Sequence, residues 1–185
     1  MTAIQLPISK SIANRLLILY ALRDINLETF TIDASTPDDV RLMHQLLSSF
    51  DSLLSTCNCG TAMRFLTAYF AQKPNCDVVL DGDERMRERP IGQLVDALRE
   101  LGAEITYMGK TGFPPIYIKG KHLRKKKVIL NNPLSTQFVS ALLLIGVEVD
   151  TDCRSPYIDM TRSLIKTVAA HTGPAPLPPI ERDWA

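Results

Sequence analysis

The chain has 185 residues, 45% hydrophobic and 22% charged, which suits one globular domain or two small ones with a core that needs neither disulfides nor metal. Lys plus Arg number 21 against 20 Asp plus Glu, so no global field selects nucleic acid or an anionic membrane, and any anion preference has to be local. No apolar run reaches roughly eighteen residues, the length of a membrane span, and "MTAIQLPISKS" lacks the basic and apolar regions of a signal peptide.

In chain order, "SKSIANRLLILYAL" (Ser9 to Leu22) opens with small polar residues and then runs apolar on nearly every side, the pattern of a helix buried all round. After a β-rich run at Thr29, "TPDDVRLMHQLLSS" reads as an amphipathic helix. Thr36 is its expected cap, Pro37 its first helical residue, and two acids complement the first turn. "CGTAMRFLTAYFA" (Cys59 to Ala71) repeats the buried-helix design. A strand follows at Asp77, and "DGDERMRERPIG" reads as a mixed-charge loop carrying Arg85, Arg87 and Arg89. "RPIGQLVDALRELGA" puts Ile91, Leu94, Val95, Leu98 and Leu101 on one stripe and stops at Gly102. Strands at Glu104 and Ile116 flank a turn-rich link, and a short "VIL" run lies at Val128. "LSTQFVSALLLIG" (Leu134 to Gly146) is the third buried helix. "PYIDMTRSLIKTVAAH" is a third surface helix, with Ile158, Leu164, Ile165 and Val168 inward. Residues 1–170 thus read as one domain, and the proline-rich 171–185 as a linker or a crossover toward a further domain.

The pattern amounts to about three copies of a unit with one buried helix, one surface helix and a few strands. The first copy looks truncated, because Leu47 to Cys57 leaves no room for a hairpin like the one after Ala103. Equivalent buried helices face the same way, with Ser11, Thr61 and Ser135 as caps or first-turn residues. Their polar openings then gather at one end: Lys10, Ser11 and Arg15; Asn58, Gly60, Thr61 and Arg64; Ser135, Thr136 and Gln137. Converging helix N-termini with hydroxyls and free N–H groups form an anion site, and arginine adds a forked grip on phosphate or carboxylate. A single first-turn arginine can equally point to water or pair with a carboxylate. Basic residues at two similar openings favour the anion.

Other signals are weaker. Cys57 and Cys59 form a C-x-C without a second pair, which reads as reduced thiols of a cytosolic protein, and no metal is expected. "KHLRKKK" has no interleaved aromatics and reads as a decorated loop. There is no Walker loop, nucleophile elbow, zincin helix or dinucleotide fingerprint. The residues alone define an α/β (α+β) domain with a site for a small polyanion.

"LPISKSIANR", "NCGTAMRFL", "GDERMRERPIGQLVDALRELGA", "STQFVSALLL" and "SPYIDMT" resemble, in order, the signature segments of the 5-enolpyruvylshikimate-3-phosphate synthase family, from Leu6 to about Lys166. The resemblance implies one domain of the enolpyruvyl-transferase inverted α/β barrel type, built from three βαβαββ units. It implies transfer of the enolpyruvyl group of phosphoenolpyruvate to the 5-hydroxyl of shikimate 3-phosphate, releasing phosphate, in a cytoplasmic monomer without a cofactor. Carried over by motif, Lys10 is the catalytic candidate and touches both substrates; such a lysine stabilises developing charge and donates a proton. Ser11 and Arg15 would hold shikimate 3-phosphate, Ser135 and Thr136 its phosphate, and Gln137 would lie between the substrates. Gly60 and Arg85 would face phosphoenolpyruvate, Asn58 and Arg64 would shape that loop, and Tyr157 would approach the shikimate ring.

The family pattern is departed from at Phe65, where proline is common, and at Ser155, which sits directly before Pro156 instead of two before it. Ser155 remains a candidate contact. The resemblance also implies a C-terminal partner domain with the acidic residues that handle protons, so the 185 residues alone are expected to bind shikimate 3-phosphate without turning over. The alternatives are a UDP-N-acetylglucosamine enolpyruvyl transferase-like domain, whose family has Lys-Asn where this chain has Lys10-Ser11, and a non-catalytic domain that binds phosphorylated small molecules.

Overall fold

Three times along the chain a short strand leads into a helix covered on nearly all sides, which returns to a second strand parallel to the first. The computed structural model describes residues 4–5, 9–124 and 126–170. The first unit is β1 (Ile4–Gln5), α1 (Lys10–Ala21), β2 (Phe30–Thr31) and α2 (Asp38–Ser48). The second is β3 (Leu53–Ser55), α3 (Gly60–Gln72), β4 (Asp77–Asp81), the one-turn α4 (Glu84–Arg87), α5 (Gly92–Glu100), β5 (Glu104–Tyr107) and β6 (Ile116–Lys119). The third is β7 (Val128–Ile129), α6 (Thr136–Leu144), β8 (Val149–Asp150) and α7 (Pro156–Ala170).

Within the described residues only the second unit carries the hairpin, and it forms a four-stranded sheet in the order β3-β4-β6-β5. β4 pairs antiparallel with β6, which pairs antiparallel with β5. The first unit passes from α2 to β3 with no hairpin between, the truncation expected from its length. Alternation on β4 turns Val78 and Leu80 inward, and Ile116 and Ile118 of β6 join them in the core.

The interior is made by the helices. α3 packs against α1, α2, α5 and α6, while α7 closes over α1 and α6. Leu17, Leu66 and Leu142 are fully buried. Truncating such a leucine to alanine costs about 2–5 kcal/mol. The expected stripe of α5 is buried along its whole length, and Gly102 closes the helix at φ 98°, a conformation that a β-carbon disfavours.

Some local expectations shift. α2 begins at Asp38, one residue late, because Pro37 takes an extended ψ of 143° as N-cap. Thr36 caps nothing; its hydroxyl accepts from the Asp33 amide at 3.0 Å. The "DERMR" loop contains a helical turn, held by Asp83 Oδ1 accepting from the Met86 amide at 2.9 Å. β1, β3 and β8 are additional strands of two or three residues. The proline-rich stretch from His171 lies outside the described residues.

Candidate functional site

A helix that links two parallel strands starts at the carboxyl edge of the first, and this end of the sheet is where α/β folds bind ligands. Here the three buried helices open onto one cavity of about 380 Å3. α1 contributes Lys10, Ser11, Asn14 and Arg15. The turn into α3 contributes Asn58, Cys59, Gly60 and Thr61, and α6 contributes Thr136 and Gln137. Asp39 from α2, Tyr157 from α7 and Arg89 from the segment after α4 complete the wall. The convergence expected from the sequence is present.

The openings are fastened to one another. Gln137 Nε2 donates to Thr61 Oγ1 at 3.0 Å, tying α6 to α3. Ser135 Oγ caps α6 by accepting from the Gln137 amide at 3.2 Å, and Cys59 Sγ accepts from the Ala62 amide at 3.4 Å at the start of α3. Ser9 makes no side-chain cap on α1. Burial raises the Cys59 thiol above its usual range.

Charge in and behind the cavity is strongly one-sided. Arg15 is 3% exposed, and its partners are neutral: Thr161 Oγ1 at 2.7 Å, the Ser11 carbonyl at 2.8 Å and Ser140 Oγ at 3.2 Å. Its guanidinium also lies 5.2 Å from the Phe65 ring centroid and 5.9 Å from that of Tyr157. Phe65, one of the departures from the family pattern, therefore supplies an aromatic face to this cation. Burial lowers the Arg15 pKa to about 10, with Tyr157 opposing the shift. An anion reaching this guanidinium meets a charge that water no longer screens.

Arg64 is also 3% exposed. It donates to the Gly60 carbonyl at 3.1 Å and the Pro90 carbonyl at 3.5 Å, while its Nε has no partner. Burial first, and then the neighbouring positive charge of Arg89, bring its pKa down to about 10. A β-carbon at residue 60 would stand 2.6 Å from Arg64 Nη1 and 2.6 Å from Arg89 Nη2. Glycine is what lets two cations close on the same stretch of backbone. Lys10 donates to Asp39 Oδ2 at 3.1 Å, and that hydrogen bond and charge raise its pKa. Asp39 is the one carboxylate among the described residues of the wall, and it is already engaged.

Several expected site residues fall elsewhere. Arg85 is exposed on α4 and does not line the cavity; Arg89 does. The reason is local: the turn buries Met86, which sends Arg85 and Arg87 outward, Arg87 onto Asp81 at 2.9 Å and 2.5 Å. Arg64 backs the cavity from behind Gly60 instead of entering it. Ser135 spends its hydroxyl as a cap, and Ser155 Oγ accepts from the Tyr157 amide at 3.3 Å; neither is on the cavity wall. Lys10, Ser11, Arg15, Asn58, Gly60, Thr136, Gln137 and Tyr157 all are. Sequence reasoning missed Asn14, Asp39, Cys59 and Arg89. Asn14 had a signal, its i,i+4 spacing from Lys10, and Arg89 was one of three arginines in a loop. The basic run after Gly120 behaves as surface, with Lys121 on Glu104 and Lys127 on Asp150.

A family model described as EPSP synthase (3-phosphoshikimate 1-carboxyvinyltransferase) matches residues 48–173, about two thirds of the chain. The chain belongs to the EPSP synthase family. A 3-phosphoshikimate 1-carboxyvinyltransferase of Bacteroides fragilis is 40% identical over 176 residues, covering 90% of this chain and 42% of the relative. The enzyme of that name from Buchnera aphidicola subsp. Cinara cedri is 36% identical over 198 residues, covering 88% and 45%. The chain thus spans less than half the length of these curated relatives. An EPSP synthase structure from Acinetobacter baumannii superposes with a TM-score of 0.62 at 21% identity, over 85% of this chain and 43% of that one. That likeness shows the fold, the inverted α/β barrel type. No helix among the described residues is long and apolar enough to cross a membrane.

Proposed function

We propose that these residues form the shikimate 3-phosphate-binding half of an enzyme that moves the enolpyruvyl group of phosphoenolpyruvate onto the 5-hydroxyl of shikimate 3-phosphate, releasing phosphate. The observation that carries this is Arg15: a guanidinium buried without any carboxylate, at a point where three helix N-termini meet. A buried cation left uncompensated is costly, and a bound anion repays the cost. Shikimate 3-phosphate brings one carboxylate and one phosphate, matching the surplus of cations around the cavity.

In this reading Ser11 and Arg15 hold the carboxylate, and the α6 opening with Thr136 and Gln137 takes the phosphate through its free amides and hydroxyl. Lys10 stands over the reacting hydroxyl, where its ammonium stabilises developing charge and passes a proton. Arg89, beside Gly60, serves the phosphoenolpyruvate end together with Arg64 behind it. The single carboxylate among the described residues of the wall is tied to Lys10, so the proton acceptor for the 5-hydroxyl comes from the part of the relatives that lies beyond the matched stretch. The 185-residue polypeptide alone therefore binds but does not turn over. We read the protein as a cytoplasmic monomer that uses no nucleic acid or membrane partner.

Calorimetry tests the reading. Shikimate 3-phosphate binds the 185-residue chain at one site, and UDP-N-acetylglucosamine gives no heat. A phosphate-release assay with both substrates stays at background. Binding of UDP-N-acetylglucosamine in place of shikimate 3-phosphate overturns the substrate assignment, and normal turnover overturns the division of labour.

A further inference from the structure

Among the charged or buried polar side chains on the inner wall of α1, all except one have a protein partner. Lys10 is on Asp39, and Arg15 has four neutral acceptors, the fourth being the Tyr157 carbonyl. The exception is Asn14, which is 1% exposed, lines the cavity, and has an Oδ1 with no hydrogen-bond partner. It lies one helical turn below Lys10, so the two share a stripe, while Ser11 and Arg15 form the adjacent stripe.

The chemistry of a carboxamide narrows what this group can serve. It offers one acceptor oxygen and two N–H donors. Phosphate and carboxylate oxygens are acceptors only, so neither satisfies Oδ1, and both repel it. A hydroxyl donates to Oδ1 and can accept from the amide nitrogen. The match therefore holds whichever way the amide is turned. A water molecule can serve the empty cavity, but a ligand that displaces it without offering a donor leaves the acceptor dry and unpaired.

We infer that Asn14 is a specificity residue that accepts a hydrogen bond from a ring hydroxyl of the ligand next to Lys10, so that the cavity selects a hydroxylated polyanion over the same anion without the hydroxyl. The inference rests on the function proposed above and assigns a role to a residue that this function does not otherwise use. Sites built around a substrate hydroxyl reject the analogue lacking it far more strongly than an apolar pocket distinguishes a methylene.

The test compares shikimate 3-phosphate with its 4,5-dideoxy analogue, titrated by calorimetry into the wild-type chain and into Asn14→Leu. Leucine matches the volume without a polar atom, so the unliganded variant melts no lower than wild type. Wild type binds the dideoxy compound about tenfold or more weakly than shikimate 3-phosphate. Asn14→Leu loses about tenfold for shikimate 3-phosphate and nothing for the dideoxy compound, so the two affinities converge. Equal wild-type affinities for the two ligands overturn the inference, even if the variant fails to fold. A variant that binds both ligands as wild type does, or that loses the same factor for both, overturns it as well. If wild type binds neither ligand, the proposed function fails first and this inference with it, an outcome distinct from the others.

Discussion

The guanidinium of Arg89 occupies the space that a β-carbon on Gly60 would need, with Nη2 2.6 Å and Nη1 2.7 Å from that position. The obstacles are the ends of two flexible side chains, Arg89 and, at 2.6 Å, Arg64 Nη1, so Gly60→Ala folds and displaces both guanidinium groups. We expect a melting temperature close to wild type and about a tenfold loss in the weak binding of phosphoenolpyruvate, followed by NMR chemical shifts. Shikimate 3-phosphate affinity changes much less, because its grip is at Arg15 and the α6 opening. An equal loss for both ligands contradicts this division of the cavity.

Arg15→Met separates stability from binding. The cation carries a desolvation cost, and its hydroxyl partners keep each other: Thr161 Oγ1 donates to Ser140 Oγ at 3.1 Å and can instead donate to the Tyr157 carbonyl at 2.7 Å. The variant should melt at or above the wild-type temperature while shikimate 3-phosphate affinity falls roughly 100-fold by calorimetry. A variant that unfolds would mark Arg15 as a structural residue.

Asp39→Asn removes the one carboxylate among the described residues of the wall. Two effects follow. The Lys10 pKa, raised by Asp39, falls back toward 10.5, so the stability this pair contributes below that pH, normally lost as pH rises through the raised value, is absent. The cavity also becomes more positive, so affinity for shikimate 3-phosphate rises a fewfold at low ionic strength and the gain shrinks with added salt. Heteronuclear titration of the Lys10 ammonium and calorimetry at two salt concentrations check both.

The acid limb of stability should depend on Asp81. Hydrogen bonding from Arg87 holds its carboxyl below the usual range. A depressed carboxylate contributes stability above about pH 3.9, its unfolded value, and loses it as pH falls through the folded value. Arg87→Met moves the Asp81 titration, followed by carboxyl carbon NMR, upward toward 3.9, and the variant becomes less sensitive to acid in that window. An unmoved titration would mean that the turn amide of Gly82, at 2.8 Å, sets the value alone.

What the sequence made legible was periodicity and position. Helices apolar all round, such as α6, had to be interior, and the one-striped helix ending at Gly102 had to lie at the surface with its stripe turned to the core. Equivalent helices then implied equivalent ends, which led to Lys10, Thr61 and Gln137 meeting at one cavity. Illegible were features below the scale of a period. Strands of two residues such as β1 and β8 are too short for alternation to show. Which of Arg85, Arg87 and Arg89 turns inward depends on one turn of helix that Asp83 caps and Met86 anchors. The burial of Asn14, and the partnering of Lys10 by Asp39 across 29 residues, are tertiary facts that no local pattern encodes.

The claim that three helix openings hold one ligand is tested most directly by titrating shikimate 3-phosphate into the isotopically labelled chain and following the backbone amides of Ser11, Thr61 and Gln137. The account predicts that all three shift along a single binding curve with one dissociation constant. Shifts confined to one helix, or separate constants for the three, would contradict it.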